Sequence, residues 1–527
     1  MRRGGYAAWA PLALPVFRML WLAVLASDIG TWMQTVGAQW LLVGLPNAAT
    51  LVALVQTADT LPDLLLALPG GALADVFDRR RLLIGLQLFQ VAAGVGLTVL
   101  TFAGQMTPPL LLGFTFALGA ASALATPAYQ ALIPELVPRD QLSSAAALGG
   151  ISVNLARAIG PAVAGLLIAR IGVAAVFALN AAAFLLFALV LIAWRRPAEN
   201  VGLPERFIPA VRAGGRYVRY SPVVRRILLR LGLFIVPASA IWALLPLIAT
   251  RLLGLGASGY GLLLGALGSG AILGALILPR VRERLSSNQI LLAAGVVYGT
   301  AMAALVVVRN PFAALVALVP AGAAWIVVIA STNAAVQTFL PGWVRGRGLA
   351  AYQMVLFGSQ AVGALIWGLI AEYNGLVVTF LLAAASLLAA AVTLRLWPLF
   401  DTDKLRQDRS VHWPEPNLVI DADPDAGPIL VTTTYSVSPE REQQFLQAMR
   451  AVRLSRLRTG AIWWEMYRDG ETAHRFIETY GLLSWDEHLR QHHDRLTDTD
   501  RAIERRAWAL ADAPPETSHF FPADISD

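Results

Sequence analysis

The 527-residue sequence has no cysteine, and only 14% of its residues are charged while 57% are hydrophobic. The lack of cysteine excludes disulfide bonds, thiolate nucleophiles and thiolate-ligated metals. Soluble domains carry about 25% charged residues, so most of this chain is expected to lie in lipid. No Asp or Glu falls inside the apolar runs between residues 227 and 397. Acid chemistry within the membrane is therefore expected only in the earlier runs.

Charge is divided unevenly along the chain. The 128 residues from Phe400 onward carry 15 Lys+Arg and 23 Asp+Glu, whereas the preceding part carries 26 and 11. The arginines of that preceding part lie near the ends of apolar runs, which indicates topology and contact with anionic membrane lipids; no nucleic-acid binding is expected. Their distribution predicts that both termini and the central loop lie on the cytoplasmic side of the cytoplasmic (inner) membrane.

Twelve apolar runs approach the ~20 residues that an α-helix needs to cross a bilayer. They lie at residues 17–43, 51–73, 82–103, 108–131, 143–169, 173–194, 227–250, 258–279, 288–308, 311–335, 348–371 and 376–397. The sequence therefore predicts an all-α membrane part followed by a small α+β domain. The predicted boundaries are a six-helix bundle at 1–196, an amphipathic cytoplasmic linker at 197–226, a second six-helix bundle at 227–397, a linker at 398–428 and a soluble domain at 429–522.

The two predicted bundles are related by an internal repeat. Three blocks of residues recur 203 positions later, for example Gly71 as Gly274 and Gly160 as Gly363, and a fourth recurs 207 positions later. A constant spacing over separate blocks indicates two homologous halves. Duplicated transporters of this kind bind their solutes between the halves.

A charged turn between the second and third runs, Gly70 to Arg81, resembles the signature loop of the major facilitator superfamily. The matching residues are Gly71, Leu73, Asp75, Arg79 and Arg80, whereas Val76 and Asp78 depart from the usual pattern. The resemblance covers residues 1 to about 397. It implies a twelve-helix, two-bundle fold in which Asp75 and Arg79 belong to a cytoplasmic charge cluster that holds the halves in one state.

The fifth run carries Arg157 followed by Gly160-Pro161, and this stretch resembles the motif that distinguishes antiporters in the superfamily. Small residues let helices approach closely, and the Gly-Pro pair provides a bend for a gate. Together with the other motifs, the sequence is similar to the enterobactin-type siderophore exporters, also called transmembrane secretion effectors. That likeness implies proton-driven export of a siderophore-like or drug-like amphipathic molecule, with no enzymatic activity and no cofactor.

Polar residues inside the first two runs are the candidates for proton coupling or substrate binding. The first run contains Asp28 and Gln34; an acid that faces lipid is costly, so Asp28 either faces the bundle interior or makes a structural hydrogen bond. Asp59 and Asp63 share one helix face, where two neighbouring carboxylates favour the uptake of a proton. The alternative is that both acids are hydrated at the external rim.

Arg157 is the candidate positively charged residue for proton coupling or substrate binding. A buried guanidinium needs a partner, which could be Asp28, Asp59 or an anionic substrate. Alternatively, the side chain extends to the cytoplasmic surface and is solvated there.

The segment after residue 428 reads as β-α-β-β-α-β, an order typical of ferredoxin-like domains. It resembles the dimeric α/β-barrel domains related to antibiotic-biosynthesis monooxygenases, and apolar residues expected to be exposed, Trp463, Trp464 and Phe476, make a homodimer plausible. His488, His492 and His493 lie among charged residues, which favours a solvated helix face over a metal site. Two alternatives to export remain at this stage: uptake or facilitated diffusion, and a transporter fused to an enzymatic tail.

Overall fold

The computed structural model describes residues 9–194, 207–400, 418–420, 423–424 and 426–523. The predicted linker stretches 197–206 and 401–417 lie outside the described residues. Within the described ranges, eleven helices are long and apolar enough to cross a membrane. The predominantly helical membrane fold predicted from the sequence is therefore confirmed.

The first half consists of six helices that are joined by short turns. They are α1 (Pro15–Leu42), α2 (Ala48–Val76), α3 (Arg79–Phe102), α4 (Pro108–Leu136), α5 (Leu142–Ile171) and α6 (Val173–Ala193). Turn chemistry places the boundaries: Asp78 accepts a hydrogen bond from the backbone N–H of Arg81 at 2.8 Å and so caps α3. Such a cap satisfies one of the free N–H groups at a helix start.

After the linker helix α7 (Phe207–Tyr220), the second half repeats this arrangement. Its helices are α8 (Pro222–Leu247), α9 (Ala257–Arg284), α10 (Ser287–Val307), α11 (Pro311–Phe339) and α12 (Arg345–Val392). The 48 residues of α12 would span about 72 Å at 1.5 Å per residue, roughly twice the hydrocarbon core of a bilayer.

A glycine with a positive φ divides the longest of these helices, at the place where the sequence predicts a boundary between two spans. Gly375 has φ 77° and ψ 164°, so α12 is broken there into two membrane-length segments. Gly172, 203 residues earlier, separates α5 from α6 with φ 88° and ψ 171°. Residues with a Cβ rarely adopt a positive φ, so the same glycine marks the same turn in each half.

Helix contacts within the two halves repeat as well. A Cβ atom built on Gly119 would lie 2.8 Å from the carbonyl oxygen of Asp59, and one built on Gly322 would lie 1.8 Å from that of Leu267. The glycines are 203 residues apart and their partners 208. The contact of Gly160 with Ile29 and Trp32 also has an equivalent in the second half. There Gly363 contacts Val236 and Ser239 in the same way. The repeat seen in the sequence is thus a repeat of helix packing.

The halves meet along two helix pairs that are also equivalent, α5 with α9 and α2 with α12. A Cβ built on Gly165 would approach the carbonyl oxygen of Ala257 to 2.6 Å, and one built on Gly368 would approach the Ala53 side chain to 2.3 Å. Thr57 adds a hydrogen bond from its hydroxyl to the Ala361 carbonyl oxygen at 3.0 Å. Small residues therefore allow backbone-to-backbone contact between the halves.

The tail contains a four-stranded antiparallel sheet. Its strands are β1 (Ile429–Ser436), β2 (Trp463–Arg468), β3 (Arg475–Leu482) and β4 (Glu516–Phe520), arranged in the order β2-β3-β1-β4. The helices are α13 (Pro439–Thr459), α14 (Trp485–Arg490) with a π turn at Gln491–Arg495, and α15 (Asp498–Trp508). The register pairs Ile429 with Leu482 and Trp463 with Gly481.

Two expectations for the tail were wrong. Phe476 is only 2% exposed and packs on Phe445 in the core under the sheet, so it offers no surface for a partner. His488 is fully buried and His492 is 9% exposed, so they do not lie on a solvated face. The alternation of β3 places Phe476 toward α13, and His488 lies on the face of α14 that packs against Trp485 and His519.

Contacts divide the chain into two compact units. One contains Met1–Pro204, Leu229–Thr332 and Gln353–Leu399, and the other contains Glu205–Leu228, Asn333–Tyr352 and Phe400–Asp527. In the second unit Tyr217 of α7 is buried against Trp343, and Arg216 lies 3.9 Å from Glu487. The described end of the linker helix therefore packs on protein through Tyr217, and the predicted contact of this basic part of the chain with membrane lipids stays a prediction.

Candidate functional site

The membrane-helix unit encloses a cavity of about 150 Å³. It is lined by Thr31, Gln34, Asp59, Thr60, Asp63, Leu118, Gly119, Ser122, Phe184 and Phe357. All but Phe357 belong to the first half. Three of the five candidate coupling or binding residues, Gln34, Asp59 and Asp63, thus lie on one cavity.

Helix α2 holds both acids on the cavity side because they are four residues apart. Pro62 between them has no N–H to donate to the Ala58 carbonyl oxygen, which loosens this turn. Gly119 of α4 lies against the same turn, close to the carbonyl oxygen of Asp59. The two carboxylates therefore sit on an irregular turn at a close helix crossing, well inside the helix.

Gln34 is fixed from the opposite side of the first half. The Asn180 side-chain amide of α6 donates to the Gln34 side-chain oxygen at 2.6 Å, and both residues are buried. This hydrogen bond leaves the amide group of Gln34 available to donate toward the cavity. An amide donor beside two carboxylates can orient a polar group or a water molecule.

Asp28 lies outside the cavity lining. Its carboxylate accepts a hydrogen bond from the Ser152 hydroxyl of α5 at 3.1 Å. The structure thus contains the interhelical hydrogen bond that was one of the two expectations for this acid. Because Ser152 supplies a single donor, most of the hydrogen-bonding capacity of Asp28 is available to other partners.

Arg157 also lies outside the cavity lining, between two tryptophans. Its guanidinium carbon is 5.5 Å from the Trp32 ring centre and 5.9 Å from that of Trp242. Among the described residues, no ion pair joins Arg157 to Asp28 or Asp59, and Nε and Nη1 are buried without a hydrogen-bond partner. Two of the three guanidinium nitrogens are therefore shielded from solvent, and no described acid of the first half forms an ion pair with them.

The residues of the signature turn tie helices of the first half together. Arg79 donates to the Glu135 carboxylate at 2.8 Å, and Arg80 donates to the carbonyl oxygens of Leu191 and Ile192, both at 2.8 Å. A Cβ on Gly71 would meet nothing within 4 Å. The side chain of Asp75 is outside the described part of the chain, so its predicted role in the charge cluster remains a prediction.

Gly160 and Pro161, the predicted gating pair, lie on α5 at its contact with α1. A Cβ built on Gly160 would lie 2.7 Å from the Trp32 Cβ, and Pro161 is buried. The carbonyl oxygen of Pro161 also faces Gly261 of the other half. The pair therefore sits where α5 touches both its own bundle and the opposite one.

Sequence reasoning missed a polar connection between the halves. The Tyr260 hydroxyl donates to the Gln39 side-chain oxygen at 2.5 Å, and the Gln39 amide donates to the Trp242 carbonyl oxygen at 3.2 Å. Gln39 lies near the end of α1 and Tyr260 near the start of α9, so the connection joins one helix end of each half. Gln39 was noticeable as an amide in an apolar run, but nothing near Tyr260 in the sequence indicates its partner.

A family profile described as "Transmembrane secretion effector" matches residues 6–525. The chain belongs to the transmembrane secretion effector family. It is accordingly a multi-pass membrane transporter of the major facilitator superfamily, and the siderophore and multidrug exporters among its relatives are transporters, not enzymes.

Curated relatives of this secretion effector are similar at low identity. The Staphyloferrin A transporter of Staphylococcus aureus is 23% identical over 73% of this chain and 96% of its own length. The multidrug efflux pump Tap of Mycolicibacterium fortuitum is 27% identical over 72% and 94%. The enterobactin exporter EntS of Shigella boydii is 29% identical over 45% and 56%.

Solved structures share the fold. A bacterial homologue of the human lysosomal transporter Spinster superposes with a TM-score of 0.57 at 15% identity, covering 75% of this chain and 96% of that one. A bacterial homologue of the iron transporter ferroportin gives 0.53 at 19% identity, covering 73% and 98%. These likenesses concern the helix arrangement alone.

Proposed function

We propose that this secretion effector is a proton-coupled exporter of a siderophore-like or drug-like amphipathic small molecule. It would act in the cytoplasmic membrane with both termini on the cytoplasmic side. The observation that carries the proposal is the cavity that Asp59 and Asp63 share with Gln34. The relatives named for staphyloferrin A, enterobactin and multidrug efflux support the substrate class.

Two carboxylates on one helix face repel each other when both are ionised, and a confined cavity weakens solvent screening. A single bound proton relieves that repulsion. Loading the proton from one side of the membrane and releasing it to the other would couple proton movement to substrate movement. Asp28, with one hydrogen bond from Ser152, is a second acid that could take part.

The test is transport by the purified full-length protein in liposomes with an imposed pH gradient. A panel of fluorescent amphipathic dyes of both charges serves as substrate. We expect dye to move against its concentration gradient as protons move the other way, and an uncoupler to stop this. Dye movement in the same direction as protons would instead indicate uptake, and movement that ignores the pH gradient would indicate facilitated diffusion.

For the tail we propose a ferredoxin-like domain that pairs with a second copy. The support is the chain order β-α-β-β-α-β and the strand order β2-β3-β1-β4. The outer strand β2 exposes Trp463 (40%) and Tyr467 (50%), and the adjoining Ile462 is also exposed. Light scattering on the full-length protein should give a dimer, and Trp463→Ser should shift it toward the monomer. A wild-type monomer at all concentrations would contradict the pairing.

A further inference from the structure

Arg157 lies against an aromatic cluster at the contact between the halves. Trp32 of α1 and Trp242 of α8 have ring centres 5.6 Å apart, and Trp325 of α11 lies 5.3 Å from Trp242. Trp32 belongs to the first half and the other two tryptophans to the second. The guanidinium over Trp32 and Trp242 thus joins the halves through cation–π contacts.

This cluster contains several hydrogen-bond donors without acceptors. Among the described residues, Nε and Nη1 of Arg157 and the indole nitrogens of Trp242 and Trp325 are buried without a hydrogen-bond partner. Two other buried tryptophans of the membrane helices have acceptors: Trp21 donates to the Leu148 carbonyl oxygen at 3.0 Å and Trp367 to that of Val236 at 2.7 Å. An unpaired buried donor is unfavourable, so a cluster of them calls for a specific explanation.

The positive charge of Arg157 also indicates a missing acceptor. Among the described residues, no ion pair joins Arg157 to Asp28 or to the cavity acids Asp59 and Asp63. Arg157 and Trp32 each keep part of their surface accessible. Separation of the halves would move the Trp32 and Trp242 rings apart and uncover the rest of the guanidinium, so that a ligand would be able to supply the missing acceptor.

We propose that Arg157, Trp242 and Trp325 recognise a ligand with a planar oxyanion, such as a carboxylate, attached to a flat apolar body. A guanidinium matches a carboxylate with two parallel hydrogen bonds, and the indole N–H groups add donors to the same oxygens. The apolar body would stack on Trp32. This inference rests on the proposed export function and specifies the substrate class of that transporter.

The experiment compares 2-naphthoate with 2-naphthamide, which has nearly the same shape but no charge. Binding is measured by calorimetry on the full-length protein in nanodiscs of phosphatidylcholine, so that no anionic lipid competes. We expect the carboxylate to bind at least about tenfold more tightly than the amide, as charge-assisted hydrogen bonds require. Arg157→Gln should abolish that difference.

The matched control is Arg170→Gln, which removes the same charge from an exposed position on the same helix. It should leave the preference for the carboxylate unchanged. Trp325→Phe keeps a ring but removes one hydrogen-bond donor. It should weaken the binding of 2-naphthoate a few-fold without affecting the binding of 2-naphthamide. Because the preference is measured on the wild-type protein first, the test does not depend on Arg157→Gln folding.

Equal binding of both probes to the wild type, or no binding of either, would overturn the proposal, as would an unchanged preference in Arg157→Gln. The measurement uses no proton gradient, so it is independent of coupling. A protein that binds the carboxylate but shows no gradient-driven transport contradicts the proposed function alone. A protein that shows coupled transport but does not bind the carboxylate contradicts this inference alone.

Discussion

The two halves of the membrane part pack alike but differ in their polar residues. Gly119 lies on the backbone of Asp59 in the first half, and Gly322 lies on the backbone of Leu267 in the second. At the spacing of this contact, Asp63 corresponds to Ala271. Leucine and alanine therefore serve the same helix crossing. The equivalent crossing of the second half thus forms without acids, which is the argument for assigning Asp59 and Asp63 to function.

The second half is not simply a less polar copy. In its helices the described acids are Glu283, one residue before the end of α9, and Glu372, three residues before the break at Gly375. It contributes donors and rings instead, through Trp242, Trp325 and Tyr260. The first half thus supplies acceptors and charge, and the second supplies aromatic surface at the contact between them.

The largest effect is expected where the halves are alike. Gly119→Leu and Gly322→Leu should each destabilise the protein by about 3 kcal/mol or more, because a side chain there collides with a carbonyl oxygen of the neighbouring helix. Thermal unfolding in detergent measures this. Gly150→Leu is the control, because nothing lies within 4 Å of its Cβ position. A loss of stability in only one of the two variants would show that the two helix crossings are not equivalent.

Exchanging the residues that differ between the halves should separate their contribution to stability from their contribution to transport. Asp59→Leu brings the second half's residue into the first and should leave the unfolding temperature unchanged or higher while abolishing gradient-driven efflux. Leu267→Asp should cost about 3 kcal/mol, because Leu267 is 1% exposed and an acid there has no partner. Thermal unfolding and liposome efflux on the same preparations separate the two results. A large loss of stability in Asp59→Leu would mean that this acid is structural.

The smallest expected effect concerns the pH dependence of folding, which we assign to the tail. His488 is fully buried with its Nε2 3.0 Å from Nε2 of His519, and burial lowers the pKa of His488 to about 3. The unfolded chain binds a proton near pH 6.5, so stability is complete above that value and falls as pH decreases toward 3. At pH 5.5 the loss from this histidine is about 1.4 kcal/mol.

Hydrogen exchange of residues 485–495 in the full-length protein measures that loss. Protection, corrected for intrinsic exchange rates, should be lower at pH 5.5 than at pH 7.5, and His488→Phe should reduce the difference. His474→Phe is the control, because His474 is exposed in the turn between β2 and β3. Equal protection at both pH values in the wild type would refute the assignment to His488.

The sequence was informative where a physical signal is local or repeated. Runs of apolar residues located the spans, the 203-residue repeat located the equivalent glycines, and the four-residue spacing of Asp59 and Asp63 placed them on one face. Contacts between distant residues had no such signal. Tyr260 and Gln39 are 221 residues apart, and nothing in the surrounding residues indicates that they meet.

Burial in the small tail was predicted less well, for a related reason. Charged neighbours of His488 suggested a solvated helix, but Glu487 turns to Arg495, at 2.6 Å, and leaves His488 to pack against Trp485 and His519. Likewise, the Arg157 Nε and Nη1 atoms lack a hydrogen-bond partner within the described part of the chain, and this depends on the orientation of several helices at once. Composition along one helix does not contain that information.

The central claim is that the acids of the first half couple transport to protons. It is tested most directly by two assays on the double variant Asp59→Asn/Asp63→Asn. In liposomes, the variant should exchange labelled for unlabelled dye across the membrane when no pH gradient is present, because its packing is intact. It should fail to accumulate dye against a concentration gradient when a pH gradient is imposed. Accumulation equal to that of the wild type would contradict the account.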